Sequence, residues 1–165
     1  MPDASDKVRN FMEKMFRIVP GYGGYAEKES RRNTDKLLRL HLAGQLDGVK
    51  SAFDRFISDM TKQKGHLELM SDASSVTKLL EKVIDRLKYA EYGYSGFFDS
   101  PKVLEPQLDA LYQFDIDLSQ SIMDLKNKVA QIKPDSSILK ALLEDLRRFD
   151  DRLNARHEAI TESQK

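Results

Sequence analysis

No cysteine occurs among the 165 residues. This excludes a disulfide framework, a cysteine nucleophile and thiolate metal ligation, and it fits a reducing cytosol. Glycine and proline are scarce, at 8 and 5 residues, so the chain holds few of the residues that end helices. Neither sign of charge is in excess, because Lys plus Arg and Asp plus Glu are 27 each. A balanced chain has no global electrostatic drive toward nucleic acid or anionic lipid, although a local patch is compatible with either. No apolar run approaches the roughly 18–20 residues that span a bilayer. The opening Met1-Pro2-Asp3-Ala4-Ser5-Asp6 lacks a basic segment followed by an apolar one, so no signal peptide is expected. These absences lead to the expectation of a cytoplasmic protein without a transmembrane segment.

What is present is charge, 33% of the residues, distributed around apolar stripes with helical spacing. The length suits a single domain over 1–165 with its own core. A short first helix is expected over 6–18, ended by Pro20-Gly21-Tyr22-Gly23-Gly24-Tyr25. A long second helix over 26–64 carries Leu42, Leu46, Val49, Phe53, Phe56 and Met60 at heptad steps, with Gly65 as a left-handed cap. Gly44 and Gly48 fall off that stripe, where a kink or close packing is expected. The third helix, over 73–92, carries Val76, Leu80, Val83, Leu87 and Ala90. Ser100 and Pro101 read as the start of a fourth helix reaching 132, with Leu104, Leu108, Leu111, Leu118, Ile122, Leu125, Val129 and Ile132 inward. After Pro134, Asp135 or Ser136 caps a fifth helix to about 161, with Leu139, Leu142, Leu146, Phe149, Leu153 and Ile160. The expected fold is therefore all-α, an antiparallel bundle of about four long helices plus a short N-terminal helix.

Three features break the pattern. Asp115 occupies an inward heptad step between Leu111 and Leu118. A carboxylate there must be paired, since burying a lone charge is very costly. It reads as a polar layer that sets helix register, as a functional carboxylate, or as the mark of a locally exposed groove. An antiparallel fourth and fifth helix joined near Pro134 pair positions that sum to about 270. Position 115 then faces Arg156, with Arg152 one turn away and Arg39 or a tyrosine hydroxyl as further candidates.

The front of the second helix is the next feature. Extending its stripe backwards places Arg39, Asp35, Arg32 and Lys28 inward, within a basic stretch that also holds Arg31 and Lys36. Such a segment is a solvated helix end, an anion site or cleft, or one half of an internal salt-bridge layer. The third feature is the pair of tyrosine–glycine segments, 22–25 with Tyr22 and Tyr25, and 92–98 with Tyr92 and Tyr94. These read as packed corners or as a recognition surface.

Chemical signatures are sparse. His41, His66 and His157 stand alone, without a second histidine at i+3 or i+4, and Glu-x-x-His does not occur. Gly21-Tyr22-Gly23-Gly24 follows a helix and lacks the Gly-Lys-Ser/Thr ending, so it is neither a dinucleotide nor a P-loop fingerprint. No catalytic residue, metal site or cofactor is assigned, and the expectation is a protein that is not an enzyme.

The stretch Pro20-Gly21-Tyr22-Gly23-Gly24-Tyr25, followed by Lys28-Glu29, Arg31-Arg32, Asp35 and Leu38-Arg39, resembles a family of uncharacterised bacterial helical proteins. So do Asp85-Arg86-Leu87 through Tyr92-Gly93-Tyr94-Ser95-Gly96-Phe97-Phe98-Asp99, and Leu108-Asp109 through Leu111-Tyr112 and Phe114-Asp115. The resemblance covers 16–42 and 80–118, and departs at Gly23, where it implies a bulkier residue. It implies a bacterial cytoplasmic protein and assigns no activity. Two functional expectations follow from the residues. One is an interaction or scaffold protein that binds another protein or itself through the tyrosine–glycine corners. The alternative is a module for an anionic ligand (nucleotide, nucleic acid or lipid head group). The candidate binding residues are Tyr22, Tyr25, Arg31, Arg32, Asp35, Arg39, Tyr92, Tyr94 and Asp115.

Overall fold

The computed structural model describes residues 1–90, 98 and 105–162. Among them are five helices and no strand: α1 (Ala4–Ile18), α2 (Arg31–Thr61), α3 (Met70–Lys88), α4 (Glu105–Ala130) and α5 (Ser136–Glu162). The fold is all-α, and α2 to α5 form the bundle. No helix of the described residues is long and apolar enough to cross a membrane.

Local chemistry explains two of the boundaries. Asp135 caps α5, its Oδ1 accepting the backbone N–H groups of Ser137 at 2.7 Å and Ile138 at 3.3 Å. α2 starts at Arg31, later than its stripe implies, after a single tight turn over Lys28–Ser30. The carbonyl of Tyr25 accepts from the Arg31 side-chain Nε at 2.7 Å, so it is occupied outside the helical ladder. α2 also ends early, at Thr61, and Gly65 (φ 99°) turns the loop beyond it instead of capping the helix. α3 begins at Met70 behind a second tight turn, Leu67–Leu69, and ends at Lys88. The expected start of α4 at Ser100 and Pro101 lies outside the described residues, as does the segment with Tyr92 and Tyr94.

Apolar stripes of the four long helices meet in one core. Leu46, Val49 and Phe53 of α2 face Leu80, Val83 and Leu87 of α3, while Leu118 and Ile122 of α4 and Leu142 and Leu146 of α5 complete it, all of them buried. Around the bundle the helices follow the order α2, α3, α5, α4. The α2/α3 and α4/α5 pairs are antiparallel. In the latter, Asp115 meets Arg156, Asp117 meets Arg152, and Lys128 meets Asp145. The other two lateral contacts are parallel. Asp72 bonds Ser136 near the starts of α3 and α5, and Arg86 bonds Asn154 farther along both. Successive helices α3 and α4 thus sit diagonally, and α1 packs outside against α4.

Gly44 and Gly48 lie in the unbroken interior of α2, and a Cβ at either would meet nothing within 4 Å. Neither a break nor close packing is found there. Glycine in a helix interior costs roughly 1 kcal/mol relative to alanine. Gly44→Ala and Gly48→Ala should therefore each stabilise the protein by about that amount in urea unfolding, whereas Leu146→Ala should cost about 2–5 kcal/mol.

Candidate functional site

Asp115 is fully buried on α4, at the inward step its heptad position implies. Its Oδ1 accepts from Nε of Arg156 on α5 at 2.8 Å. Nη2 of the same guanidinium donates to Oδ1 of Asp35 on α2 at 2.7 Å. Asp35 Oδ2 in turn accepts from Arg39 Nε at 2.9 Å, and Arg39 Nη1 donates to the Leu87 carbonyl of α3 at 2.8 Å. One chain of charge-assisted bonds therefore crosses all four bundle helices. The layer holds two carboxylates and two guanidiniums, all buried, so its formal charge is zero. A buried charge is tolerated only when paired and hydrogen-bonded, and every carboxylate oxygen here has a donor.

The fourth donor is Tyr25, whose hydroxyl gives its proton to Asp115 Oδ2 at 2.6 Å. This residue fastens the loop between α1 and α2 to the layer. Its backbone N–H donates to the Tyr112 hydroxyl at 2.5 Å. Its ring stacks on Phe98 (centroids 6.2 Å apart, planes at 14°) and lies 4.8 Å from the Tyr112 ring. Gly24 precedes it with φ 71°, and a Cβ there would come within 2.7 Å of the Tyr112 oxygen. Only glycine combines that backbone conformation with that approach. Gly23 N–H adds a bond to Thr34 Oγ1 at 3.3 Å.

Burial pushes the Tyr25 and Tyr112 hydroxyls above the ordinary tyrosine value, and the negative Asp115 adds to both shifts. Tyr25 is therefore the proton donor of its bond. Burial also pushes the Asp115 carboxyl up to about 6, outweighing Arg156 and the Tyr25 hydroxyl. At Arg156 burial opposes the charge, but Asp115 and Asp35 outweigh it and hold the guanidinium protonated.

Of the sequence-derived residues, the structure joins Tyr25, Asp35, Arg39 and Asp115 in this one network, with Arg31 attached through the Tyr25 carbonyl. Tyr22 packs alongside, edge-on to Phe16 with centroids 5.7 Å apart. Its hydroxyl is buried with no hydrogen-bond partner among the described residues. Arg32 is exposed, so its heptad position does not turn it inward; the same holds for Lys28. Two participants are not among the candidate binding residues drawn from the sequence. Arg156 is marked in the sequence only as the partner of Asp115, and Tyr112 stands three residues before Asp115 on the same face of α4, which is the signal that marks it. Among the described residues, no group of three or more His, Cys, Asp or Glu side chains could hold a metal ion.

Compared with known proteins, the chain matches no family model, no curated protein and no solved structure.

The geometry makes the layer a clamp. Asp115 is closed to solvent, and its bonds tie α4, α5 and the Tyr25 loop into one unit. Arg156→Met leaves Asp115 without a cation and Asp35 with Arg39 alone, and should destabilise by ~3–5 kcal/mol in urea unfolding. The Asp115 shift also sets a pH dependence. Its folded value near 6 exceeds the unfolded 3.8, so between these pH values the native state retains a proton that the unfolded chain has released. Stability from this group is present below about pH 4 and is lost as pH rises through 6, by something on the order of 3 kcal/mol. The penalty of Asp115→Asn should accordingly be larger at pH 4 than at pH 7. A penalty that grew with pH would show a carboxylate stabilised as the anion.

Proposed function

We propose that this chain is a non-enzymatic interaction protein of the cytoplasm, a rigid helical scaffold that binds another protein or a second copy of itself through exposed side chains around its tyrosine–glycine corner, whose Tyr22 and Tyr25 are themselves buried. One observation carries the reading: the charges of the polar layer are satisfied internally, and three hydrogen bonds of Tyr25 tie the corner to the bundle. A surface ordered before binding loses little conformational entropy on association. Exposed apolar side chains accompany this end of the bundle. Phe16 flanks Tyr22, Leu40 follows Arg39, and Tyr89, 75% exposed, lies two residues past the Leu87 carbonyl that Arg39 holds. These are the apolar side chains that an association surface at this end would bury.

The reading as an anionic-ligand module through Arg31, Arg32 and Arg39 draws less support. Arg39 is turned inward onto Asp35, and Arg31 Nε is engaged by the Tyr25 carbonyl.

The Leu40→Glu, Tyr89→Ser double variant alters exposed positions and should keep the wild-type helix content. Self-association by light scattering and partner capture from the native host's lysate should fall roughly tenfold or more relative to wild type. Raising salt from about 0.05 M to about 0.5 M should leave wild-type association largely intact. Association that collapses with salt yet survives the double variant would favour the arginine reading, because phosphate contacts weaken steeply with ionic strength.

A further inference from the structure

A groove of about 380 Å³ runs along the outside of the bundle between α2 and α4, with α1 as its third wall. That volume lies in the range of small-ligand sites, about 300–1,000 Å³. Its surface is mainly apolar. Ile18 of α1 and Met123 of α4 both line it, 45% and 42% exposed. Gly44 and Gly48 of α2 form its floor, and the open space over both is what gives the groove its depth.

The charge of the lining is one-sided. No carboxylate contributes to it, although Asp and Glu make up 27 of the 165 residues. Lys14, Arg55 and Lys126 line it from three different helices. None of these three has an ion pair among the described residues, whereas nearby Lys50 and Lys128 are paired with Asp54 and Asp145. His41, Gln45 and Ser119 add uncharged polar groups. Burial, aided by Lys14, lowers the pKa of His41, so at neutral pH the imidazole is uncharged and serves as a hydrogen-bonding group.

An apolar floor beneath unpaired cations is complementary to a ligand with an apolar tail and a negative head. A partner helix, about 10–12 Å across with its side chains, would lie largely outside a groove of this size and leave its depth unfilled. A bare anion such as phosphate would leave the apolar floor uncovered. We infer that the groove binds an anionic amphiphile, a free long-chain carboxylate whose tail lies over Gly44 and Gly48 and whose head group meets the cations at the rim. This goes beyond the scaffold reading and uses none of the residues that test it, so either can fail alone.

The test is calorimetric titration of the full chain with dodecanoate below its micelle concentration, paired with a thermal-shift measurement. Saturable one-to-one binding and a raised Tm are expected. Dodecyltrimethylammonium, with the same tail and the opposite charge, should not bind. Gly48→Leu fills the groove from a helical position with open space and should weaken dodecanoate roughly tenfold or more without lowering Tm. The Arg55→Glu, Lys126→Glu double variant changes only exposed side chains and should weaken it similarly, with unchanged circular dichroism. The inference is overturned if wild type shows no saturable dodecanoate binding, or if the cationic amphiphile binds equally well. It is also overturned if the folded charge-reversed variant keeps wild-type affinity, or if an acidic amphipathic peptide binds this face while dodecanoate does not.

Discussion

The Arg156 guanidinium grips two carboxylates that come from two other helices, and much of the bundle's geometry is tied to that grip. Its Nε and Nη2 donate from one rigid plane, toward Asp115 on α4 and Asp35 on α2. A guanidinium suits this task because its planar fork directs several donors at fixed angles, which a lysine ammonium does not. With Arg156 only 2% exposed, a helix that slid by one turn would leave full charges buried and unpaired. Isolated heptad stripes tolerate such slips, since one leucine replaces another. A single buried polar contact does not, and this is how polar core residues specify register.

The same contact reaches beyond the helices. Asp115 has a second oxygen to satisfy, and the Tyr25 hydroxyl satisfies it. The loop after α1 is thereby drawn into the layer, where Tyr112 and Arg31 take the two backbone groups of Tyr25. Order in the loop is thus a consequence of charge burial in the bundle. The topology contributes as well. Because α2 and α4 are neighbours, Asp35 and Asp115 come within reach of one arginine; a ring following chain order would place these helices across the diagonal.

Net charge conceals how charge is segregated. The chain is neutral as a whole, yet four charges cancel inside the bundle while Lys14, Arg55 and Lys126 stand unopposed along an outer groove. The groove is deep where α2 carries glycine, at a helix-stability cost that no packing contact in the structure offsets. Interior neutrality and exterior imbalance have different origins: the first is required by desolvation, whereas the second is tolerated by solvent and is open to a ligand.

By itself the sequence determined that this protein is all-α, which residues form its core, and that Asp115 needs a buried partner. Those properties are local. Heptad spacing sets the inward face of each helix, and the short α4–α5 connection sets their mutual register, which is enough to bring Arg156 opposite Asp115. The sequence also showed Asp35 and Arg39 on an inward stripe, but the same stripe put Arg32 and Lys28 inward, where the structure leaves them exposed. Periodicity cannot see where a helix begins, and α2 begins late because Tyr25 and Arg31 bond to each other outside the ladder. Only the tertiary structure decided that Asp35 and Asp115 share one arginine, that Tyr112 joins them, and that Gly44 and Gly48 floor a groove. Each depends on the lateral order of helices around the bundle. That order is set by packing between segments far apart in the chain, and no repeat of seven residues encodes it.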